Sequence, residues 1–238
     1  MIEIKNISKT YNGTDNVIDR LSLSIRSGSV FGFLGPNGAG KTTAIKIAVG
    51  LNSPDEGEVL IGNGSPFRSE TRENIGFMPE EPHFYEQLTG LEFMKFTNDL
   101  FDRNRRSSSE EIDEILEKTG VYKARNKKIR DYSKGMKQRL GFAQALVNNP
   151  NYIFLDEPLE GLDPIGRIEI KKILANLKNK GKTIFFNSHI LADVENICDQ
   201  IGIIHRGRLI YSGPVAEFKK NKSLEEQFVE TIRGFSRQ

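Results

Sequence analysis

The chain has 238 residues, enough for one large α/β domain or two small ones, and 37% of them are hydrophobic, which suffices for a core. Its 34 basic and 32 acidic residues leave a formal charge of +2, so no overall field indicates a nucleic acid as partner. One cysteine excludes an internal disulfide framework, and no apolar stretch approaches the roughly 20 residues that span a bilayer.

The amino-terminal part of the chain is predicted to form strands. The segments IEIKNIS, VIDRLSLSI and GEVLIGNG are rich in β-branched residues and bounded by Gly, Ser and Asn. They indicate a mixed sheet near the amino terminus. The apolar run from Val30 to Leu34 predicts a further strand, and it leads directly into the next motif.

A glycine-rich loop follows that strand, because GPNGAGKTT at residues 35–43 completes the pattern GxxxxGKT. Backbone N–H groups and the helix dipole converge on an anion in such a loop. Lys41 adds a charge for the outer phosphates, and the Thr42 hydroxyl suits Mg²⁺. A flexible turn before a helix is the alternative. The residues predicted to hold a nucleotide here are Gly35, Pro36, Asn37, Gly38, Ala39, Gly40, Lys41, Thr42 and Thr43.

A helical pattern replaces the strand pattern between about residues 84 and 150 and predicts an inserted subdomain. Ser108 and Glu111 have the spacing of a capping box, and Gly120 supplies a stop, so we predict a helix at about 109–119. The basic run at residues 123–130 is typical of a solvated face, with a partner contact as the alternative.

Strands and helices alternate after Pro150, which predicts parallel strands joined by right-handed crossovers. The last two strand segments, IGIIHRG and RLIYSG, are separated by a short turn near Arg206 and Gly207, which predicts a hairpin. The tail has apolar residues at four-residue spacing, so we expect one amphipathic carboxy-terminal helix at about 214–234.

Two carboxylates end the first strand of this alternating part. In YIFLDEP the apolar run delivers Asp156 and Glu157 to its carboxyl end, where parallel sheets bind ligands. Asp156 suits Mg²⁺ through the metal's own water, and Glu157 is placed to orient or deprotonate an attacking water. Adjacent carboxylates repel each other, so the pair also indicates a metal. Kinases, GTPases, helicases and transport ATPases all remain open at this point.

The segment YSKGMKQRL at residues 132–140 is similar to the signature of the nucleotide-binding subunits of ATP-binding cassette (ABC) transporters, in which LSGGQ precedes a basic, glutamine-rich helix. The loop GLD ending at Asp163 and the histidine of NSH, His189, also match that family, in its order. The resemblance implies that Tyr11 stacks on adenine beside Val17. It implies that His189 donates to the γ-phosphate or positions the water, whereas position alone favours a turn residue. The residues implied to contact nucleotide from the signature side are Ser133, Lys134, Gly135, Met136 and Asp163.

The residues of the signature segment support an anion site by themselves. Ser133 and Gly135 open a helix predicted to run to about Val147, and its start carries free N–H groups. Lys134 opposes the helix dipole in the first turn by a few tenths of a kcal/mol. That cost is understandable if a phosphate arrives, and the resemblance implies that this phosphate belongs to the ATP on a second subunit.

Three positions depart from the family's pattern. Glu80 stands where a glutamine usually contacts Mg²⁺ and water, so we expect a charged metal ligand there. Lys134 and Met136 replace a glycine and the glutamine of the signature, and they leave its hydroxyl and backbone donors intact. Leu159 and Glu160 occupy positions where small polar residues are frequent.

The resemblance implies one domain over residues 1–238 with an α/β phosphate-loop NTPase fold: a mixed core sheet, an amino-terminal antiparallel β subdomain and the inserted helical subdomain. It implies an ATPase that binds ATP and Mg²⁺, with Glu157 and His189 as catalytic residues and Thr42, Glu80 and Asp156 as metal ligands.

The implied partners are a second copy of the chain and a separate transmembrane permease, in a transporter that resembles bacterial export or multidrug types. We expect a cytoplasmic protein held at the inner face of the membrane by that permease, and no nucleic acid. The alternative is a soluble cassette ATPase serving translation, DNA repair or cofactor assembly. A phosphate-loop kinase is a further class, but it leaves YSKGM and His189 unexplained.

Overall fold

The computed structural model describes residues 1–11, 15–102 and 106–235. Its amino-terminal part is a three-stranded sheet in the order β2-β1-β4, with every neighbouring pair antiparallel. The mixed sheet that the strand segments indicated at this end was therefore wrong, whereas the antiparallel subdomain that the family resemblance implied is confirmed. Short connections join β1 to β2 as a hairpin, and β4 returns along the other edge of β1, so no parallel crossover is needed. The strands are β1 (Ile2–Tyr11), β2 (Asp15–Ile25) and β4 (Glu56–Ile61).

The mixed sheet lies in the core instead, where six strands follow the order β5-β6-β7-β3-β8-β9. All neighbours are parallel except the final hairpin, which turns at Arg206 and Gly207. The predicted alternation, hairpin and α/β class are confirmed. The strands are β3 (Val30–Leu34), β5 (Ile75–Met78), β6 (Tyr152–Asp156), β7 (Thr183–Asn187), β8 (Gln200–His205) and β9 (Arg208–Pro214).

Helices cover this core sheet and form the insert. The helix predicted at 109–119 is confirmed, with the Ser108 and Glu111 capping box in place. The signature helix ends at Gln144 rather than Val147, and a turn continues from there. The α-helices are α1 (Lys41–Ala48), α2 (Ser69–Arg72), α3 (Gly90–Asp99), α4 (Ser109–Lys118), α5 (Lys134–Gln144), α6 (Pro164–Asn179), α7 (Leu191–Ile197), α8 (Val215–Lys219) and α9 (Leu224–Phe235); short 3₁₀ turns lie at Tyr122–Ala124 and Ile129–Asp131.

Two helices occupy the tail where one was expected, so that prediction was wrong. Lys220 has a φ of 53°, in the left-handed region, which ends α8. The backbone N–H of Glu226 then donates to Ser223 Oγ at 3.2 Å, and the N–H of Ser223 donates to Glu226 Oε2 at 3.0 Å. This reciprocal cap starts a new helix, because local capping outweighs a continuous apolar stripe.

The core sheet separates two hydrophobic clusters. Phe154 and Phe185 point toward the antiparallel sheet and α1, with ring centroids 5.5 Å apart. Ile153 and Leu155 point to the opposite face, toward α5 and α6. This follows from strand geometry, since successive side chains face opposite sides. Because hydrophobic clusters pack on both faces of the sheet, this packing fixes the positions of the strand ends.

The helical insert has a hydrophobic cluster of its own, which includes Phe93, Leu116 and Ile129. Helix α5 joins this cluster to the core, because Leu140 packs into the insert and Phe142 into the core cluster. None of the helices in the described part of the chain has the length and apolar character needed to cross a bilayer.

Candidate functional site

The carboxyl ends of the parallel strands bring the predicted site together. Asn187, the last residue of β7, is in register with Asp156 of β6 and Phe33 of β3. Met78, the last residue of β5, is in register with Leu155. The loops that leave these four strands therefore start at one edge of the sheet, which is where parallel sheets bind ligands.

The loop after β3 adopts a conformation that requires glycine at Gly40. This residue caps the start of α1 with a φ of 106°, and a Cβ there would lie 2.6 Å from the carbonyl oxygen of Val17. Gly40 has no side chain to satisfy the first N–H groups of the helix. These groups, with the positive end of the helix dipole, are available to an anion.

The side chain of Lys41 contacts the backbone of this loop. Its ammonium donates to the carbonyl oxygens of Gly35 at 2.7 Å and Pro36 at 3.1 Å. The residue is only 9% exposed, and burial lowers the pKa of Lys41. The ammonium donates hydrogen bonds to neutral carbonyls and is compensated only partly by the nearby charges of Glu157, Asp156 and Glu80, so an anionic phosphate would be a stronger partner.

Asp156 supplies an oxygen suited to a cation. It is 1% exposed, and its Oδ1 has no hydrogen-bond partner among the described residues. Burial raises the pKa of Asp156. A buried carboxylate oxygen beside the Thr42 hydroxyl fits Mg²⁺, which takes one or two protein carboxylates and completes its shell with phosphate oxygens and water. Within the described ranges no three acidic, His or Cys side chains form a metal cluster.

Glu157 has an unusual backbone and a paired side chain. Its φ of 52° lies in the left-handed region, which costs a non-glycine residue about 1 kcal/mol or more. Its N–H donates to Asn187 Oδ1 at 2.9 Å, and its carbonyl accepts from Gln138 Nε2 at 3.0 Å. The carboxylate Oε2 lies 3.0 Å from His189 Nδ1. The two residues predicted to be catalytic are therefore in direct contact.

A cavity of about 340 Å³ lies at this edge of the sheet. Glu80 joins its wall from the loop after β5, and burial, together with the charges of Asp156 and Glu157, raises the pKa of Glu80. The wall thus combines one buried lysine with three carboxylates. The lining residues are Val17, Asn37, Gly38, Gly40, Lys41, Thr42, Thr43, Glu80, Asp156, Glu157 and Asn187.

The same loop contains Gly35, Pro36 and Ala39, which do not line the cavity. Tyr11 also lies outside the wall. Its ring is partly exposed at the end of β1, and its hydroxyl accepts from Asn52 Nδ2 at 2.8 Å.

The predicted signature residues lie apart from the cavity, at the start of α5. Ser133 caps this helix, because its Oγ accepts from the N–H of Met136 at 3.2 Å. Gly135 lies in the first turn, and Asp163 caps α6 by accepting from Gly166 at 2.8 Å. The structure therefore does not bring the two halves of the predicted nucleotide site together within one chain.

Lys134 finds a partner within its own chain. Its ammonium lies 2.9 Å from Glu160 Oε1, and its aliphatic carbons pack over Gly161, where a Cβ would meet Lys134 Cε at 2.9 Å. The two family departures, Lys134 and Glu160, are thus paired. Glu160 offsets the unfavourable position of this lysine against the helix dipole, so a phosphate is not needed to explain it.

Two residues that bond the backbone of Glu157, Asn187 and Gln138, were not predicted from the sequence. Asn187 ends an apolar strand at the same edge as Asp156, so a strand-end polar residue was a usable signal. Gln138 had no local signal, because only the packing of α5 against β6 brings it to Glu157. The basic run of the insert is partly built into the fold, since the Arg125 guanidinium lies 3.7 Å from the ring centre of Tyr122.

Comparison with known proteins gives a consistent result. Residues 18–160 match the model of the ABC transporter family. An ABC transporter ATP-binding protein of Synechocystis is 44% identical over 98% of this chain. The bacitracin transport ATP-binding protein BcrA of Enterococcus faecalis is 39% identical over 95% of the chain, and the lantibiotic transport ATP-binding protein SrtF of Streptococcus pyogenes is 37% identical over 96%.

The relatives differ in length. The chain spans 96% of the Streptococcus protein, 73% of the Enterococcus protein and 68% of the Synechocystis protein, but only 59% of a relative from Nostoc. Among solved structures, a dimeric ATP-binding cassette in a post-hydrolysis state with ADP and Pi superposes with a TM-score of 0.83. It is 28% identical, and the match covers 90% of this chain and 99% of that one.

Proposed function

Because this chain belongs to the ABC transporter family of ATP-binding subunits, and is an ATPase that uses ATP and Mg²⁺, we propose that two copies close around two nucleotides and drive a separate membrane permease in export. The observation that carries the proposal is a single cavity lined by Lys41, Asp156 and Glu157, with His189 paired to Glu157.

The residues around the cavity have distinct proposed roles. The loop at residues 35–43 would hold the phosphates through its N–H groups and Lys41, with Val17 and Tyr11 beside the base. Mg²⁺ would be held by Thr42 and Asp156 with Glu80 nearby, and when bound it would neutralise charge on the phosphates. Glu157 would accept a proton from the attacking water or orient it, and His189 would hold that carboxylate in place or donate to the γ-phosphate.

The start of α5 is the proposed contact to a nucleotide held by the second copy. The start of α5 lies outside the cavity, so it cannot cover phosphates that are bound in the cavity of the same chain. Its residues are Ser133, Lys134, Gly135 and Met136. A second chain placed head to tail would supply this contact, with Asp163 near the same interface. The dimeric state of the related cassette bound to ADP and Pi supports this arrangement.

A permease contact is proposed on the insert, close to Glu80. Tyr85, Phe96 and Leu100 are exposed by 62%, 41% and 70%, and the first two rings meet edge-on with centroids 5.4 Å apart. Exposed apolar side chains grouped in this way are typical of a protein contact. The subunit would then sit at the inner face of the membrane through its permease.

Export is the proposed direction of transport. It is supported by the relatives named for bacitracin and lantibiotic transport, which match nearly the whole of this chain. The alternative, a soluble cassette ATPase in translation, DNA repair or cofactor assembly, is not favoured by any of these relatives.

The Glu157→Gln variant tests the proposed chemistry. We expect it to bind ATP with unchanged affinity, to lose about 10²–10⁴-fold in turnover, and to accumulate as a closed dimer on size-exclusion chromatography with ATP. The amide keeps the shape of the side chain but cannot accept a proton. Turnover equal to that of the unmodified chain would refute the assignment of Glu157.

Purification from detergent-solubilised membranes tests the proposed transport role. We expect a hydrophobic protein in stoichiometric amount with the tagged chain. The triple variant Tyr85→Ser, Phe96→Ser and Leu100→Ser should lose that protein while it keeps its nucleotide affinity. Recovery of ribosomes, nucleic acid or soluble scaffold proteins instead would support the alternative.

A further inference from the structure

The backbone of Glu157 is held in a conformation that it would not adopt unaided. A φ of 52° is rare for a residue with a Cβ, because the side chain then crowds the backbone. Such a conformation persists only where the surrounding structure enforces it, and it is frequent at functional sites.

Two buried amide side chains bond both polar groups of this backbone, and the Glu157 carbonyl also accepts the backbone N–H of Glu160 at 3.1 Å. Asn187 Oδ1 accepts the N–H of Glu157 at 2.9 Å, and Gln138 Nε2 donates to its carbonyl oxygen at 3.0 Å. Asn187 is 1% exposed and Gln138 is 4% exposed. Water cannot readily replace either bond. The loss of Asn187 would leave the N–H of Glu157 unsatisfied, and the loss of Gln138 would leave its carbonyl held only by the short turn to Glu160.

The two bonds come from different layers of the molecule. Asn187 ends β7, the strand next to β6, and therefore moves with the core sheet. Gln138 lies in α5, five residues after Ser133, or about 7.5 Å along the helix axis. The orientation of Glu157 therefore depends on the position of α5 as well as on the sheet.

We propose that Gln138 is a positioning residue, which holds the backbone of Glu157 so that its carboxylate faces the cavity. This inference rests on the proposed role of Glu157 as the group that accepts a proton from water or orients it. Such a group must lie within about 2.6–3.2 Å of its target, so a small rotation at Glu157 lowers the rate sharply. Gln138 lies outside the cavity wall, so its removal should leave nucleotide binding intact.

The Gln138→Met variant tests the proposal, because methionine has a similar length and no N–H donor. We expect kcat for ATP hydrolysis by the full chain to fall about tenfold, with KM for ATP and the Kd of a fluorescent ATP analogue within twofold. Gln144→Met is the matched control. It is the same change in the same helix, and within residues 1–11, 15–102 and 106–235 the Gln144 side chain has no hydrogen-bond partner. It should keep kcat within twofold.

A double-variant cycle separates positioning from a general structural role. In single-turnover reactions, Gln138→Met should cost less than twofold more when it is added to Glu157→Gln, because the carboxylate it positions is already gone. A further tenfold loss in that background, or an unchanged kcat in the single variant, would overturn the proposal.

Gln138→Leu gives the same test if the methionine variant is unstable. Leucine also lacks an N–H donor, so kcat should fall about as far. Full activity of this variant would overturn the proposal. The role of Glu157 is judged separately, because unchanged turnover in Glu157→Gln alone refutes the proposed function whatever Gln138 does.

Discussion

Two helix starts in this molecule, those of α1 and α5, carry its proposed phosphate-binding motifs, and they differ in how complete they are. At α1 the capping residue is Gly40, the following Lys41 is buried, and four strand ends enclose a cavity. At α5 the cap is made by Ser133 itself, and the side chain of Lys134 is 72% exposed and paired with Glu160. The strand ends around α1 form a cavity within one chain. The start of α5, where Ser133 already caps the helix, would need the surface of a second chain to form a phosphate site.

The largest effect is expected at the buried lysine of α1. Lys41→Ala should lower ATP turnover at least 100-fold, about 2.7 kcal/mol, because Lys41 is the only cation that the described residues place in the cavity wall. Steady-state phosphate release and fluorescent nucleotide binding would measure this. Lys172→Ala, which removes an exposed lysine on α6, is the control and should leave turnover and nucleotide binding unchanged. Normal turnover of the Lys41 variant would show that α1 is not the phosphate site.

A smaller and different effect is expected at the tip of α5. In the Glu157→Gln background, Ser133→Ala should weaken ATP-dependent dimerisation about tenfold in analytical ultracentrifugation and leave nucleotide binding by the monomer unchanged. Removing this cap should also cost about 1 kcal/mol of folding stability.

Ser108→Ala is the matched control for that experiment, since it removes the cap of α4. It should cost similar stability with no effect on the dimer. Equal losses of dimer affinity in both variants would mean that Ser133 acts through stability alone. That result would contradict the proposed contact of α5 with a second chain.

The smallest expected effect concerns stability and pH at Asp156. Burial raises its pKa, so the folded protein holds a proton that the unfolded chain releases at about pH 3.9. Ionisation of Asp156 therefore lowers stability as pH rises from that value through the raised folded value, and the cost is present at pH 7.

Asp156→Asn should accordingly raise the Tm of the nucleotide-free protein at pH 7 by about 1–4 °C. The gain should disappear as pH falls below about 3.9, where the carboxyl becomes protonated in both states. The variant should also lose the extra Tm that Mg²⁺ adds to the ATP complex. A lower Tm at pH 7, measured by differential scanning fluorimetry, would contradict this account of the site.

Local patterns predicted the elements whose causes are local. The capping box at Ser108 and Glu111 predicted α4, and alternating strand and helix segments predicted the parallel core, because both depend on neighbouring residues. The tail was predicted as one helix at about 214–234 because Leu224, Phe228 and Ile232 lie at four-residue spacing. The cap at Ser223 and Glu226 that starts a separate helix has the same local spacing as the capping box of α4, and that signal was not used.

For the site, the sequence by itself determined the chemistry: a phosphate loop, a carboxylate pair and a signature segment, each contiguous in the chain. Only the tertiary structure decided how these parts meet. It paired Lys134 with Glu160 and held Glu157 between Asn187 and Gln138. The physical reason is that these bonds join residues far apart in the chain, and their geometry is set by how α5 and β7 pack beside β6.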